Sequence, residues 1–182
     1  MTGFASLRLV FSAALLAGAA LSPQTSVAQG AAAVTLGPSG LPLPRFVSLK
    51  SARTNSRVGP GANYSVDWMY TKAGLPMEII QEYDTWRRVR DADGSEGWIS
   101  QSLLSGKRTA IIAPWQRGKG GTVNMLSSPE KDAGVVAMIE PGVIGTIKSC
   151  NGQWCQMTAG GHSGWVAQSQ LWGAYPGEKV KD

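Results

Sequence analysis

Hydrophobic and polar residues alternate in short stretches along most of this chain, and nowhere do they hold a 3.6-residue period for more than a turn or two. Met77-Glu78-Ile79-Ile80-Gln81-Glu82-Tyr83 is rich in strand formers, Asp84-Thr85 marks a turn, and Trp86-Arg87-Arg88-Val89-Arg90 alternates as a half-buried strand does. Asp91-Ala92-Asp93-Gly94 is a second turn signal, and Glu96-Gly97-Trp98-Ile99 reads as the next strand. Further on, Gly145–Cys150 and Trp154–Met157 flank the hairpin signal Asn151-Gly152, and Gly160-Gly161 turns the chain into Gly164-Trp165-Val166. Alternation puts Trp86 and Arg88 on one face of their strand and Arg87 and Val89 on the other. Neither face is purely apolar, so Trp86 is expected to be partly exposed.

One longer apolar run breaks this pattern. Leu9–Leu21 follows Arg8, and its thirteen residues are too few for a bilayer-spanning helix of about 20. Ser26-Val27-Ala28 then places small residues where signal peptidase reads, so residues 1–28 are expected to be a secretory signal peptide. The first cysteine is Cys150, far from that cleavage point, which argues against a lipid anchor. The expected product is periplasmic or secreted, with no membrane span after cleavage.

The rest of the chain repeats itself. Tyr70–Gly74 followed by Trp86 lines up with Met138–Gly142 followed by Trp154, both glycine-to-tryptophan spacings being twelve. Gly97-Trp98-Ile99-Ser100-Gln101-Ser102-Leu103 matches Gly164-Trp165-Val166-Ala167-Gln168-Ser169-Gln170-Leu171, and Asn55 and Pro60 match Asn124 and Pro129. The offset drifts from 69 to 68 to 67, as two one-residue deletions in loops would produce. The expected layout is a flexible lead-in at 29–44, a first unit at 45–112, a linker at 113–121, a second unit at 122–175 and a tail at 176–182. A linker of that length lets the units move unless it is pinned, and Trp115 is expected to bury and pin it; units of about 60 residues have marginal cores, which the large aromatic side chains are expected to reinforce.

Composition adds bounds. Of 182 residues, 23 are Gly and 10 Pro, which favours turns and short strands, and 43% hydrophobic with 16% charged is the balance of a folded domain. The net charge is +5, and the positive excess lies in the first half: residues 45–112 hold ten basic and seven acidic groups against two and three in residues 120–177. That mild excess, together with export, speaks against nucleic acid as a partner.

The run Arg53-Thr54-Asn55-Ser56-Arg57-Val58-Gly59-Pro60-Gly61-Ala62-Asn63-Tyr64 resembles the opening of the bacterial SH3-like domain, and the later Trp86 strand and Gly97-Trp98-Ile99 continue the likeness. The second unit matches from Asn124 to Leu171 but has Leu126 in place of Arg57 and Ser127-Ser128-Pro129 in place of Val58-Gly59-Pro60. The resemblance covers about 130 residues and implies an all-β chain: two tandem, small, partly open SH3-like β-barrels of five or six strands after a signal peptide. Within it, Gly59 and Gly61 are expected at positive φ, and Trp98 and Trp165 inside the barrels. In relatives such modules attach wall hydrolases to peptidoglycan, so the resemblance points to envelope binding and leaves the ligand open.

Chemistry has little to work with. Cys150 and Cys155 flank the Asn-Gly turn, and an even pair in an exported chain reads first as a disulfide. A thiol nucleophile at Cys155 with His162 as base would need a helix start and an orienting third group, which this strand context does not offer. His162 is the one histidine, too few ligands for a zinc site, so neither metal nor cofactor is expected. Asp84, Asp91, Asp93 and Glu96 fall in turns, where capping accounts for them better than a catalytic carboxylate pair. No nucleophile elbow, phosphate loop or dinucleotide fingerprint is present, and an enzyme is not expected. What remains is recognition. Tyr64, Trp68, Tyr70, Tyr83 and Trp86 lie close in sequence to Arg57, Arg87 and Arg88, and aromatic faces beside arginine anchor protein and peptide contacts. The candidate ligand-binding residues are Arg57, Tyr64, Tyr83, Trp86 and Arg88. The expected partner is peptidoglycan or its peptides, or alternatively an envelope protein for which the chain is an adaptor or accessory subunit.

Overall fold

The computed structural model describes residues 35–181; the expected signal peptide and the start of the lead-in lie outside them. β1 (Thr35–Leu36) and β2 (Pro42–Leu43) pair as a small hairpin. The first large sheet is made of β3 (Arg45–Leu49), β4 (Thr54–Arg57), β5 (Val66–Tyr70), β6 (Pro76–Tyr83), β7 (Trp86–Arg90), β8 (Glu96–Ser100) and β9 (Leu104–Ser105). Its spatial order is β5-β4-β8-β7-β6-β3-β9. The second is made of β10 (Thr109–Ile112), β11 (Val123–Leu126), β12 (Val135–Ile139), β13 (Ile144–Asn151), β14 (Trp154–Ala159), β15 (His162–Ala167) and β16 (Leu171–Trp172). It runs β12-β11-β15-β14-β13-β10-β16, with β17 (Lys179–Val180) added to β13. The two paths are one topology used twice, and the fold is two tandem SH3-like barrels.

The repeat read from the sequence is a repeat of core positions. Tyr70 and Ile139 correspond at offset 69, Ile79 and Ile147 at 68, Val89 and Met157 at 68, Ile99 and Val166 at 67, Leu104 and Leu171 at 67, and all are buried. Both steps in offset fall in turns, between β5 and β6 and between β7 and β8. Gly74 and Gly142 close the first of these turns at φ 74° and 94°, a conformation that a side chain resists.

The tryptophans depart from expectation. None of the seven lies in either core. In Gly97-Trp98-Ile99 the inward positions belong to Gly97, whose missing side chain makes room for Ser56, and to Ile99; Trp98 faces out between them. Trp165 sits likewise between buried Gly164 and Val166. The cores are filled by aliphatic side chains and methionine instead: Val47, Leu49, Met77, Ile79, Val89 and Ile99 in the first, and Ile112, Met125, Ile147, Met157 and Val166 in the second.

Three further readings change. Thr109–Ile112, placed at the end of the first unit, pairs with β13 and β16 in the second sheet. The stretch 113–121 therefore runs between two strands of one barrel; Ala113 and Pro114 are buried there and Trp115 is 48% exposed. A four-residue apolar strand suits either barrel, and pairing alone decides. The lead-in, expected to be flexible, is from Thr35 onward the β1–β2 hairpin, held to the first barrel by Ser39, whose N–H and Oγ donate to Glu82 at 2.8 Å each. Gly59 and Gly61 do not have positive φ; a β-carbon at Gly59 would collide with the Tyr64 ring, so their role is to admit that ring.

Phe46 joins the barrels. Its ring meets Trp172 edge-on at 5.3 Å and tilts against Tyr175 at 4.7 Å, with the Arg108 guanidinium 5.9 Å above it. Arg108 pairs with Glu178 at 2.7 Å, Tyr175 Oη donates to Glu78 at 2.8 Å, and Arg117 pairs with Asp93 at 2.7 Å.

Candidate functional site

In an antiparallel ladder directly opposed residues project from the same face, their β-carbons about 5 Å apart. Register across the first barrel aligns Gln81 with Arg88, Arg88 with Trp98, and Trp98 with Arg57. One rung of four strands thus carries Arg–Trp–Arg, with Trp98 between Arg57 and Arg88. The next rung aligns Tyr83, Trp86 and Ser100, which sets Trp86 diagonal to Trp98. Four of the five candidate residues, Arg57, Tyr83, Trp86 and Arg88, share this outward face. Tyr64 stands at its margin, its carbonyl accepting from Arg57 Nη1 at 2.6 Å.

The missing member was Trp98. Its signal was present in the sequence: one residue between an obligatory small position and a β-branched core residue must point outward.

The cations differ in freedom. Arg88 is held by Glu96 at 2.8 Å yet stays well exposed. Arg87 points inward, as alternation requires: Nη1 donates to the carbonyls of Asp84 and Trp86, Nη2 to Gln101, and Nε lies 3.3 Å from Glu82. Arg90 is bound through Nε and Nη2 to Glu78, and those bonds raise its already high pKa. Glu82, its side chain only 1% exposed, is pushed upward by burial, but bonds from Ser39 N, Ser39 Oγ and Arg45 outweigh that and bring its pKa to about 2. Arg87 and Glu82 are thus part of the barrel's framework, whereas Arg57, Arg88 and Arg90 reach solvent, Arg88 beside Glu96 and Arg90 bound to Glu78.

The second barrel repeats the ladder without its charge. Leu126 aligns with Trp165, Trp165 with Gln156, and Gln156 with Ser149, so leucine and glutamine stand where Arg57 and Arg88 do. Trp154 occupies the place of Trp86.

The remaining chemistry is structural. Cys150 and Cys155 face each other across the β13–β14 hairpin, Cα atoms 4.1 Å apart, and form a disulfide buried in the second core. That bond occupies the thiol a nucleophilic reading would need. His162 is exposed, opposite Ala159. Asp91 accepts from the N–H groups of Asp93 and Ser95, the capping expected of it, and from Tyr70 Oη at 3.0 Å. Burial first, and Asp91 second, raise the Tyr70 phenol well above its usual range. No cluster of histidine, cysteine and carboxylates could hold a metal among the described residues.

Two curled antiparallel sheets of this topology define a tandem small-barrel protein of the SH3-like class. The family comparison is specific: the bacterial SH3 domain model matches residues 50–106 and again 119–173, and the chain belongs to that family. No curated protein matches it. Among solved structures it is similar to NlpC2 and NlpC1 from Trichomonas vaginalis, at 15% and 16% identity and TM-scores of 0.31 and 0.30. Those matches cover 71% and 70% of this chain and 48% and 45% of theirs, so the chain spans about half the length of either. Likeness at that level says nothing of its activity.

Proposed function

We propose that the protein is an exported, non-catalytic module that binds cell-wall material, with the outward face of the first barrel recognising the peptide part of peptidoglycan. The observation that carries this is the rung Arg57–Trp98–Arg88, flanked by Trp86 and Tyr83. Two guanidinium groups either side of an indole suit a short extended peptide bearing carboxylates: arginine takes the carboxylates in bidentate fashion and the rings cover the aliphatic stem. The disulfide and the apolar N-terminal run support an oxidising, exported location. Among the described residues no helix is long and apolar enough to cross a membrane.

The test is sedimentation of the purified protein with washed sacculi over a range of salt. Binding is expected to survive moderate salt, to fall at least about tenfold in Trp86→Ala and in Arg57→Ala/Arg88→Ala, and to persist in Leu36→Ala. Binding abolished by modest salt would reduce the interaction to charge attraction, and absence of binding would remove the wall reading.

The second reading, an envelope adaptor, is favoured by two edge strands that are unpaired on one side among the described residues. β5 exposes Val66, Trp68 and Met69, Trp68 at 62%, and β12 exposes Val135, Val136 and Met138. Such edges accept an added strand from a partner. Failure on sacculi together with one specific co-purifying envelope protein would favour it.

A further inference from the structure

We infer that the second barrel holds a separate site of its own, a groove for a neutral glycan chain centred on Trp154. Two adjoining grooves of about 410 and 360 Å³ share Trp154, Ala167 and Lys131. Trp154 opens β14 directly opposite Ala167, a side chain too small to cover the indole, and Asn151 Oδ1 fixes the strand's start by accepting from the N–H groups of Gln153 and Trp154. The ring therefore stands half-exposed between the two grooves.

The lining chemistry selects the ligand. Gln116, Asn124 and Gln170 line one side, and Gln153, Gln168 and Ser169 the other. Among the described residues Lys131 is the one charged residue lining either groove. Primary amides donate and accept, which matches hydroxyl and acetamido groups that also do both, and an indole face packs on the C–H face of a pyranose ring. Gln116 Nε2 lies 3.4 Å from Gln170 Oε1, which orients the two side chains and turns Gln116 Oε1 and Gln170 Nε2 to other partners. Gln168 is 4% exposed and braces the floor of its groove, its Nε2 donating to the carbonyls of Tyr175 and Glu178.

A carboxylate-rich peptide finds few counter-charges here, since the neighbouring rung has Leu126 and Gln156 where the first barrel has arginines. Continuity around Trp154 suits a linear chain, and few precisely placed polar groups around an aromatic floor are the usual makeup of a small-ligand site. The two barrels would then divide a peptide-bearing polysaccharide between them. The glycan inference goes beyond the reading of the first barrel, and its test uses a sugar that carries no peptide.

The experiment titrates the purified protein with the tetramer of β-1,4-linked N-acetylglucosamine and follows the indole N–H resonances. Saturable shifts are expected at Trp154, with affinity lower by about tenfold in Trp154→Ala and unchanged in Leu41→Ala. Should Trp154→Ala not fold, Gln116→Ala/Gln170→Ala takes its place and must also weaken binding. The inference is overturned if the tetramer leaves Trp154 unmoved, if both variants bind as the parent does, or if a stem tripeptide shifts Trp154 where the sugar does not. Sugar binding with no retention on sacculi by the first-barrel face would sink the peptide reading and leave this one standing.

Discussion

At Glu82 the chain buries a carboxylate on the inner side of a strand and surrounds it with Ser39, Arg45 and Arg87. Its folded pKa of about 2 lies below the ordinary 4.5, so its contribution to stability is present in full above about 4.5 and is lost as pH falls toward 2. Glu82→Gln is expected to cost about 3 kcal/mol at neutral pH, since it leaves two buried or half-buried guanidinium groups short of a counter-charge. It should also flatten the acid limb of a stability-against-pH curve between those values. An unchanged acid limb in the variant would show that Glu82 does not set it. Gly97 is a second such position. A methyl group there meets Ser56 Oγ and comes within 3.3 Å of the Arg57 carbonyl. Gly97→Ala should destabilise by about 2 kcal/mol, and adding Ser56→Ala should recover part of that, both read from denaturant midpoints.

At the scale of the element, the β13–β14 hairpin is held by its register, by Asn151 at the turn and by the Cys150–Cys155 bond. Because the closed loop is short, reduction is expected to lower stability by about 2 kcal/mol. The loss should register as a shift in the denaturant midpoint on adding dithiothreitol, and Cys150→Ala/Cys155→Ala should remove that sensitivity. The ladder rung is held in the same way. Three strands, β4, β8 and β7, place Arg57, Trp98 and Arg88 side by side, and strand pairing makes that constellation more rigid than a loop would.

At the scale of the whole molecule, Phe46 is the hinge of cohesion between barrels, packed against Trp172 and Tyr175 and capped by Arg108. Phe46→Ala should cost about 3 kcal/mol and split one cooperative thermal transition into two, measurable by calorimetry. A single transition with an unmoved midpoint would mean that the barrels cohere without it. Tyr175 adds a bond to Glu78, and its phenol is raised above the usual range by burial first and by Glu78 second.

The linear pattern of side chains determined a good deal by itself. Alternation and turn residues specified strands, the drifting offset specified two copies of one unit, and the spacing of Cys150 and Cys155 about an Asn-Gly turn specified their bond, because each depends on neighbours along the chain. Alternation also points to Trp86 as partly exposed, and it is half-buried; it sets Arg87 on the face opposite Trp86, and the structure shows that face to be the inner one. Tertiary structure decided the rest. The resemblance implies a core position for Trp98, but its face is set by Gly97 and Ile99, and which residues lie inside depends on what a cross-strand neighbour leaves room for. Thr109–Ile112 belongs to the second sheet through partners more than 30 residues away. The face joining Arg57 to Arg88 through Trp98, and the groove around Trp154, exist only because antiparallel register brings distant strands into one rung.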